Sequence, residues 1–123
     1  MIATASWDSD VRLWDVETGK ELAVLTGHKA AVLNCAFSPD GRTLATKSDD
    51  RTIKFWNLAT FREVASISLD YTGNIQGNFL AFSPDGQLLT ANDSGAGLRC
   101  WRASTFAEID AAEAKEMAER KQR

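Results

Sequence analysis

Short apolar runs alternate with clusters of Ser, Asp, Gly and Pro along most of the chain. AVLNCAF at 31–37 stops at SPDG, RTLATKS follows at 42–48, DDR interrupts, and TIKFW at 52–56 and REVASI at 62–67 complete the series. Runs this short, rich in Val, Ile, Thr, Phe and Trp and bounded by turn-formers, predict β-strands rather than helices. In SPDG, Pro39 brings the fixed φ of the second turn position and Gly41 can take φ > 0. VRLW at 11–14 places apolar residues side by side, which predicts a sheet covered on both faces.

The pattern repeats. SWDSDVRLWD (6–15), SDDRTIKFWN (48–57) and DSGAGLRCWR (93–102) align on Trp14, Trp56 and Trp101, and AFSPDG at 36–41 returns at 81–86. The segments VETGKELAVL, LATFREVASI and ASTFAEIDAA then follow in register. A period of roughly 42–45 residues holding four short strands predicts antiparallel four-stranded units in radial or stacked repetition. The expected boundaries are an incomplete first unit at 1–25, carrying only its second to fourth strands, a complete unit at 26–67, a degenerate one at 68–110, and a charged tail at 111–123. The tail favours helix: Glu116–Arg120 and Glu119–Arg123 are i,i+4 pairs, and Ile109, Ala112 and Met117 form a thin apolar face that would cap a sheet edge. The third unit departs from its siblings. Gly95 stands where the second has Asp50, and Gly73 and Asp70 are the candidates at the place of His28.

These features resemble the WD40 repeat family. The resemblance rests on Gly27–His28, on Asp8 and Asp50 six residues before their Trp, on Trp14–Asp15 and on the paired SPDG turns, and it spans residues 2 to about 110. It implies an all-β propeller of four-stranded blades, here an incomplete ring followed by a short C-terminal helix, acting as a rigid non-catalytic platform for other proteins. His28, Asp50, Trp56 and a hydroxyl from Thr46 or Ser48 also match the residue types of a Ser–His–Asp catalytic set. The resemblance implies a structural relay within the blade instead, with Asp8 and Trp14 as its counterparts in the first unit. A buried indole N–H needs an acceptor, and a hydroxyl supplies one. The rival reading, a propeller hydrolase with a channel site, needs charged or metal-binding side chains on the innermost strands. Those strands read AVLNCAF and GNFLAF, nearly without charge.

Composition adds exclusions. Seventeen acids against 14 bases give a net charge of −3, no general attraction for nucleic acid or an anionic membrane. Cys35 and Cys100 are too few for a disulfide framework, lack metal-ligand spacing, and occupy strand positions expected in the core. MIATASWDSD has no signal-peptide character, so the cytoplasm is the expected compartment. The Gly pair in GAG (95–97) is too sparse for a phosphate loop, and neither metal nor cofactor is expected. Trp7 is not required by the repeat. It falls in the turn that, in the family resembled, opens on the partner-binding face, with Lys29, Lys47, Asp49 and Arg51 expected around it. The expected partners are other proteins or further blades of a longer propeller of which this would be the C-terminal part. A chain standing alone is expected to form homo-oligomers, since open blades expose edges and apolar faces. A self-assembling ring module without an outside partner is the remaining alternative.

Overall fold

The computed structural model describes residues 1–69, 79–93 and 97–102. Within them the chain forms ten strands: β1 (Ile2–Ala5), β2 (Val11–Trp14), β3 (Glu21–Leu25), β4 (Val32–Phe37), β5 (Thr43–Ser48), β6 (Thr52–Asn57), β7 (Arg62–Ser68), β8 (Leu80–Phe82), β9 (Leu88–Asp93) and β10 (Gly97–Arg102). They build three antiparallel sheets in chain order, β1-β2-β3, β4-β5-β6-β7 and β8-β9-β10. The predicted tail helix at 111–123, and the NDSGAG and SLDYTGNIQGN departures of the third unit, fall largely or wholly outside the described residues.

One register is written three times. Trp14 pairs with Ile2, Trp56 with Leu44 and Trp101 with Leu89, so residues of the three sheets can be matched by position. A bulge recurs as well, between Leu13 and Trp14 and between Phe55 and Trp56. The SPDG turns show why the spacing holds. Ser38 donates its hydroxyl to Asp40 at 2.5 Å and accepts the Thr43 N–H at 3.1 Å, while Asp40 accepts the Arg42 N–H at 3.0 Å. Ser83, Asp85, Gln87 and Leu88 repeat this network with distances of 2.5 to 3.0 Å. Gly41 and Gly86 close the turns at φ 73° and 75°, a region costly for other residues. A Cβ on Gly86 would lie 3.4 Å from the Pro39 ring, so the two turns are neighbours at one end of the sheets.

The sheets pack face to face. Val11, Leu13 and Leu25 of the first meet Val32, Leu44, Trp56 and Leu58 of the second in one apolar layer. Ala45, Ile53, Phe55 and Leu69 of the second meet Leu80, Leu89 and Ala91 of the third in another. The middle sheet is therefore covered on both sides, and all six residues of β5 are buried. Along β5 the even positions turn to the first sheet and the odd ones to the third, as strand alternation requires.

Two expectations are corrected here. Lys47, expected on the partner-facing rim, is fully buried. It sits on the odd face of β5, and its ammonium donates to the Asn92 carbonyl at 2.7 Å and to Asn92 Oδ1 at 2.6 Å. Asn92 Oδ1 also accepts the Phe79 N–H at 2.9 Å, so one amide ties β5 to both β9 and the start of β8. Cys100, expected in the core, is exposed, because its face of the third sheet has no described sheet against it. Cys35 is half-buried, and burial pushes its thiol above the usual range.

Lys47→Ala should lower unfolding stability by about 2–4 kcal/mol, since it leaves buried acceptors on Asn92 short of a charged donor. Hydrogen exchange should speed most in β8 and β9. Loss spread evenly over all three sheets would contradict a role in holding the third.

Candidate functional site

Besides the Lys47–Asn92 contact, a constellation of polar side chains in the described core lies on the β5–β6 hairpin and the segment leading into β4. Gly27 opens it. At φ 155°, with its would-be Cβ 3.3 Å from Trp56 Cη2 and 3.3 Å from Glu63 Oε2, it lets the backbone lie against the indole. His28 follows, buried, its ring edge-on to Trp56 with centroids 6.4 Å apart.

The hydrogen bonds run in one direction. Trp56 Nε1–H donates to Thr46 Oγ1 at 2.9 Å, and Thr46 Oγ1 lies 2.7 Å from His28 Nε2. His28 Nδ1 lies 2.8 Å from Asp50 Oδ2. A carboxylate only accepts, so Nδ1 carries the proton. With only Nδ1 protonated, Nε2 accepts the Thr46 hydroxyl, and every donor of the relay then has an acceptor. Asp50 is held in turn by the Lys29 N–H at 3.0 Å, the Thr52 N–H at 2.9 Å and the Thr52 hydroxyl at 2.5 Å. Burial pushes the Asp50 carboxyl up, but these donors and His28 together outweigh it and hold it below the ordinary 3.8.

Ser48, the other hydroxyl that sequence leaves open, does not join the relay. It donates to the Ala30 carbonyl at 3.0 Å and accepts the Asp50 N–H at 3.1 Å, fastening the turn to the His28 segment. Thr46 is fully buried and accepts from an indole, so the trio offers no substrate a nucleophile. Among the described residues no cluster of His, Cys, Asp and Glu is placed to hold a metal ion.

The relay fades along the chain in both directions. In the first sheet Trp14 Nε1–H donates to Thr4 Oγ1 at 3.0 Å, but Asp8 turns to Arg12 at 3.4 Å and to the Asp10 N–H at 3.0 Å. Asp8 and Trp14 are thus not joined. In the third sheet Ala91 occupies the register position of Thr4 and Thr46, and the Arg99 guanidinium instead stacks 5.2 Å from the Trp101 ring centroid. Thr4, Thr52 and Ala91 went unread in sequence, although a simple signal exists. The residue ten before each Trp is Thr, Thr, then Ala.

The rim candidates lie at the end of the sheets opposite the SPDG turns. The Val32 N–H donates to the Ser6 carbonyl at 3.0 Å and the Asp49 N–H to the Ala31 carbonyl at 2.9 Å, so the β1–β2 turn, the lead-in to β4 and the β5–β6 turn lie side by side. There Trp7 is 88% exposed, and Lys29, Asp49 and Arg51 are exposed too. Ser9 and Arg51 take matching left-handed conformations, at φ 78° and 70°, in the two turns.

Residues 1–15 and 19–57 match the model of the WD domain, G-beta repeat. Residues 1–57 carry WD40 repeats. The match covers the first two WD40 blades as far as β6, where the Trp–Thr pair is kept, and the third blade keeps the architecture without the relay residues. Among similar proteins is a nuclear distribution protein PAC1 of Arthroderma benhamiae, 35% identical over 69 residues, 56% of this chain and 15% of that protein. Protein HIR1 of Cryptococcus neoformans is 35% identical over 79 residues, 64% of this chain and 9% of HIR1. Periodic tryptophan protein 2 of Arabidopsis thaliana is 44% identical over 57 residues, 46% of this chain and 6% of that protein. The chain thus spans 15% or less of the length of these WD40 relatives.

Thr46→Val keeps the shape but strips the WD40 relay of its junction, and should cost about 2–4 kcal/mol by leaving an indole donor and an imidazole unpaired. Thr4→Val, beside a half-exposed Trp14, should cost under about 1 kcal/mol. Equal losses in urea unfolding would refute the relay's dependence on burial. A pH series gives a second check. Because the native Asp50 carboxyl sits below the ordinary 3.8, its contribution is present above that pH and is lost as pH falls through the native value. Asp50→Asn should flatten this acid limb.

Proposed function

We propose that this chain is a non-catalytic platform for protein–protein contact, and that its partner docks on the rim formed by Trp7, Lys29, Asp49 and Arg51. The observation that carries the reading is Trp7, 88% exposed on a turn that backbone hydrogen bonds hold against the next blade. A large indole held rigidly in water loses little conformational freedom on binding and gains much buried area, which is why Trp is enriched at interface hot spots. Around it Lys29 and Arg51 supply cations and Asp49 an anion, a mixed-charge edge suited to the polar rim of an interface.

Support also comes from the relatives. WD40 repeats recur in proteins named for nuclear distribution and for periodic tryptophan, and we infer a regulatory assembly as the setting. The innermost strands β4 and β8, VLNCAF and LAF, carry no acid or base, which favours a platform over a hydrolase working in the channel. Both described cysteines are free thiols, in keeping with a proposed cytoplasmic location.

Trp7→Ala should weaken capture of the partner by about 2 kcal/mol, roughly thirtyfold, with the melting temperature unchanged. Arg51→Glu should alter mainly the association rate and its salt dependence. Binding indifferent to both substitutions, measured by interferometry on the immobilised chain, would place the partner elsewhere.

A further inference from the structure

We propose that β7, the outer strand of the middle sheet, takes up an extended segment of a partner protein as a fifth antiparallel strand. This surface is separate from the rim that carries Trp7. The middle sheet runs β4-β5-β6-β7, so β7 has β6 on one side and no described strand on the other. At seven residues it is the longest of the described strands. The ladder shows which of its backbone groups are open. The Leu69 N–H donates to the Arg51 carbonyl at 2.7 Å, one step beyond the Thr52–Ser68 pair. Bonded and unbonded pairs alternate along an antiparallel ladder. Ile67 opposite Ile53 and Ala65 opposite Phe55 are therefore bonded to β6, whereas Ser66 and Ser68 turn their N–H and C=O groups outward. Ala65, Ser66 and Ser68 are small and exposed, which leaves room for an incoming backbone.

Proteins blunt a free sheet edge with charges, proline or a bulge, because its unpaired groups are a template for another strand. In β7 these devices stop early. Arg62 and Glu63 open the strand, and the bulge opposite Phe55 and Trp56 falls at Val64, which the register skips. The stretch from Ala65 to Ser68 has no charge, no proline and an unbroken register. These features set the chemistry of the occupant. Main-chain bonds to Ser66 and Ser68 require an extended backbone, the mode by which peptides add to sheet edges. Ala65 and Ile67 share the face of β7 that is turned to the third sheet, and Ser66 and Ser68 share the other. The incoming strand therefore alternates apolar with polar residues. Running antiparallel, its C-terminal end reaches Arg62, an exposed cation. The neighbouring Glu63 is already held by the Lys54 ammonium at 2.6 Å, so an acid at that end of the occupant is the complement Arg62 calls for.

A synthetic peptide of alternating Thr and Val with a C-terminal Glu tests this, read by amide hydrogen exchange of the 123-residue chain. At millimolar peptide the Ser66 and Ser68 amides should slow about tenfold, while those of Ala65 and Ile67, already bonded to β6, change little. The same peptide N-methylated at its Thr residues should give no slowing. Ser66→Pro should abolish the effect and leave the melting temperature near that of the unmodified chain, since the Ser66 N–H makes no bond to β6. Ser66→Ala and Trp7→Ala should both respond as the unmodified chain does, the second separating this edge from the rim. Arg62→Glu should weaken binding about fivefold, and a peptide ending in Lys should restore it. The proposal is overturned by unchanged Ser66 and Ser68 rates, by equal slowing of all four amides, or by a response that survives N-methylation of the peptide. Protection of Ser66 and Ser68 that rises with protein concentration in the absence of peptide would overturn it too, by making a second copy the occupant.

Discussion

The indole N–H of Trp56 is the constraint from which most of the described structure follows. Packing between the first two sheets wants a large ring at that position, and the ring is 2% exposed. A buried donor without an acceptor would cost about 1–3 kcal/mol, so the ring brings a polar obligation into an apolar layer. Thr46 discharges it, then needs an acceptor for its own proton, and His28 and Asp50 extend the chain until it reaches backbone N–H groups at the surface. Each link joins a different part of the blade: β6 to β5, β5 to the segment before β4, and that segment to the β5–β6 turn. The relay therefore positions the loop end of the blade as well as satisfying a tryptophan.

How much of this was legible in sequence differs by feature, for physical reasons. The strands of the second blade were readable because turn chemistry brackets them. Ser38, Pro39, Asp40 and Gly41 each have a role that few other residues fill. The choice between Thr46 and Ser48 was not readable. Both lie on the same face of β5, and the cross-strand offset decides which the indole reaches. Lys47 was misread because its neighbour in sequence is a turn while its neighbour in space is another blade. A lysine two residues before an exposed Asp49 looks solvated until β9 is placed over it. Cys100 shows the converse. The repeat identifies it as equivalent to Phe55 and Leu13, but only the presence of an adjoining sheet turns an interior position into an interior residue.

The third sheet holds its place by different means from the second. It has no hydroxyl at the register position of Thr46, since Ala91 stands there. A smaller Ala91 still packs, fully buried against Ile53 and Phe55, so the loss of the relay has left the apolar layer intact. The polar fastening has moved. Lys47 reaches across from the middle sheet, and Arg99 covers the Trp101 ring from above. A buried ammonium carries a desolvation penalty that an apolar residue would not, and its compensation is directional contact with two oxygens of a single Asn. That exchanges a fastening within a blade for one between blades, and makes the third sheet depend on its neighbour for more than apolar cover.

Such dependence is general to stacked sheets, where stability is close to a sum of nearest-neighbour terms. The middle sheet has two apolar layers and a complete relay; the outer described sheets have one layer each, with the Trp14–Thr4 pair kept in the first and Ala91 at the hydroxyl's position in the third. Opening should therefore begin at the outer sheets and reach β5 last. The rim inherits this gradient. Asp49 and Arg51 stand on the turn that the relay secures, whereas Trp7 stands on the first sheet, whose turn is tied to the second through the Val32–Ser6 bond. The most exposed aromatic among the described residues is thus carried by an outer sheet but steadied by the middle one. A partner that gripped Trp7 and Arg51 together would bridge the two, adding to the apolar layer between them a second fastening at the rim.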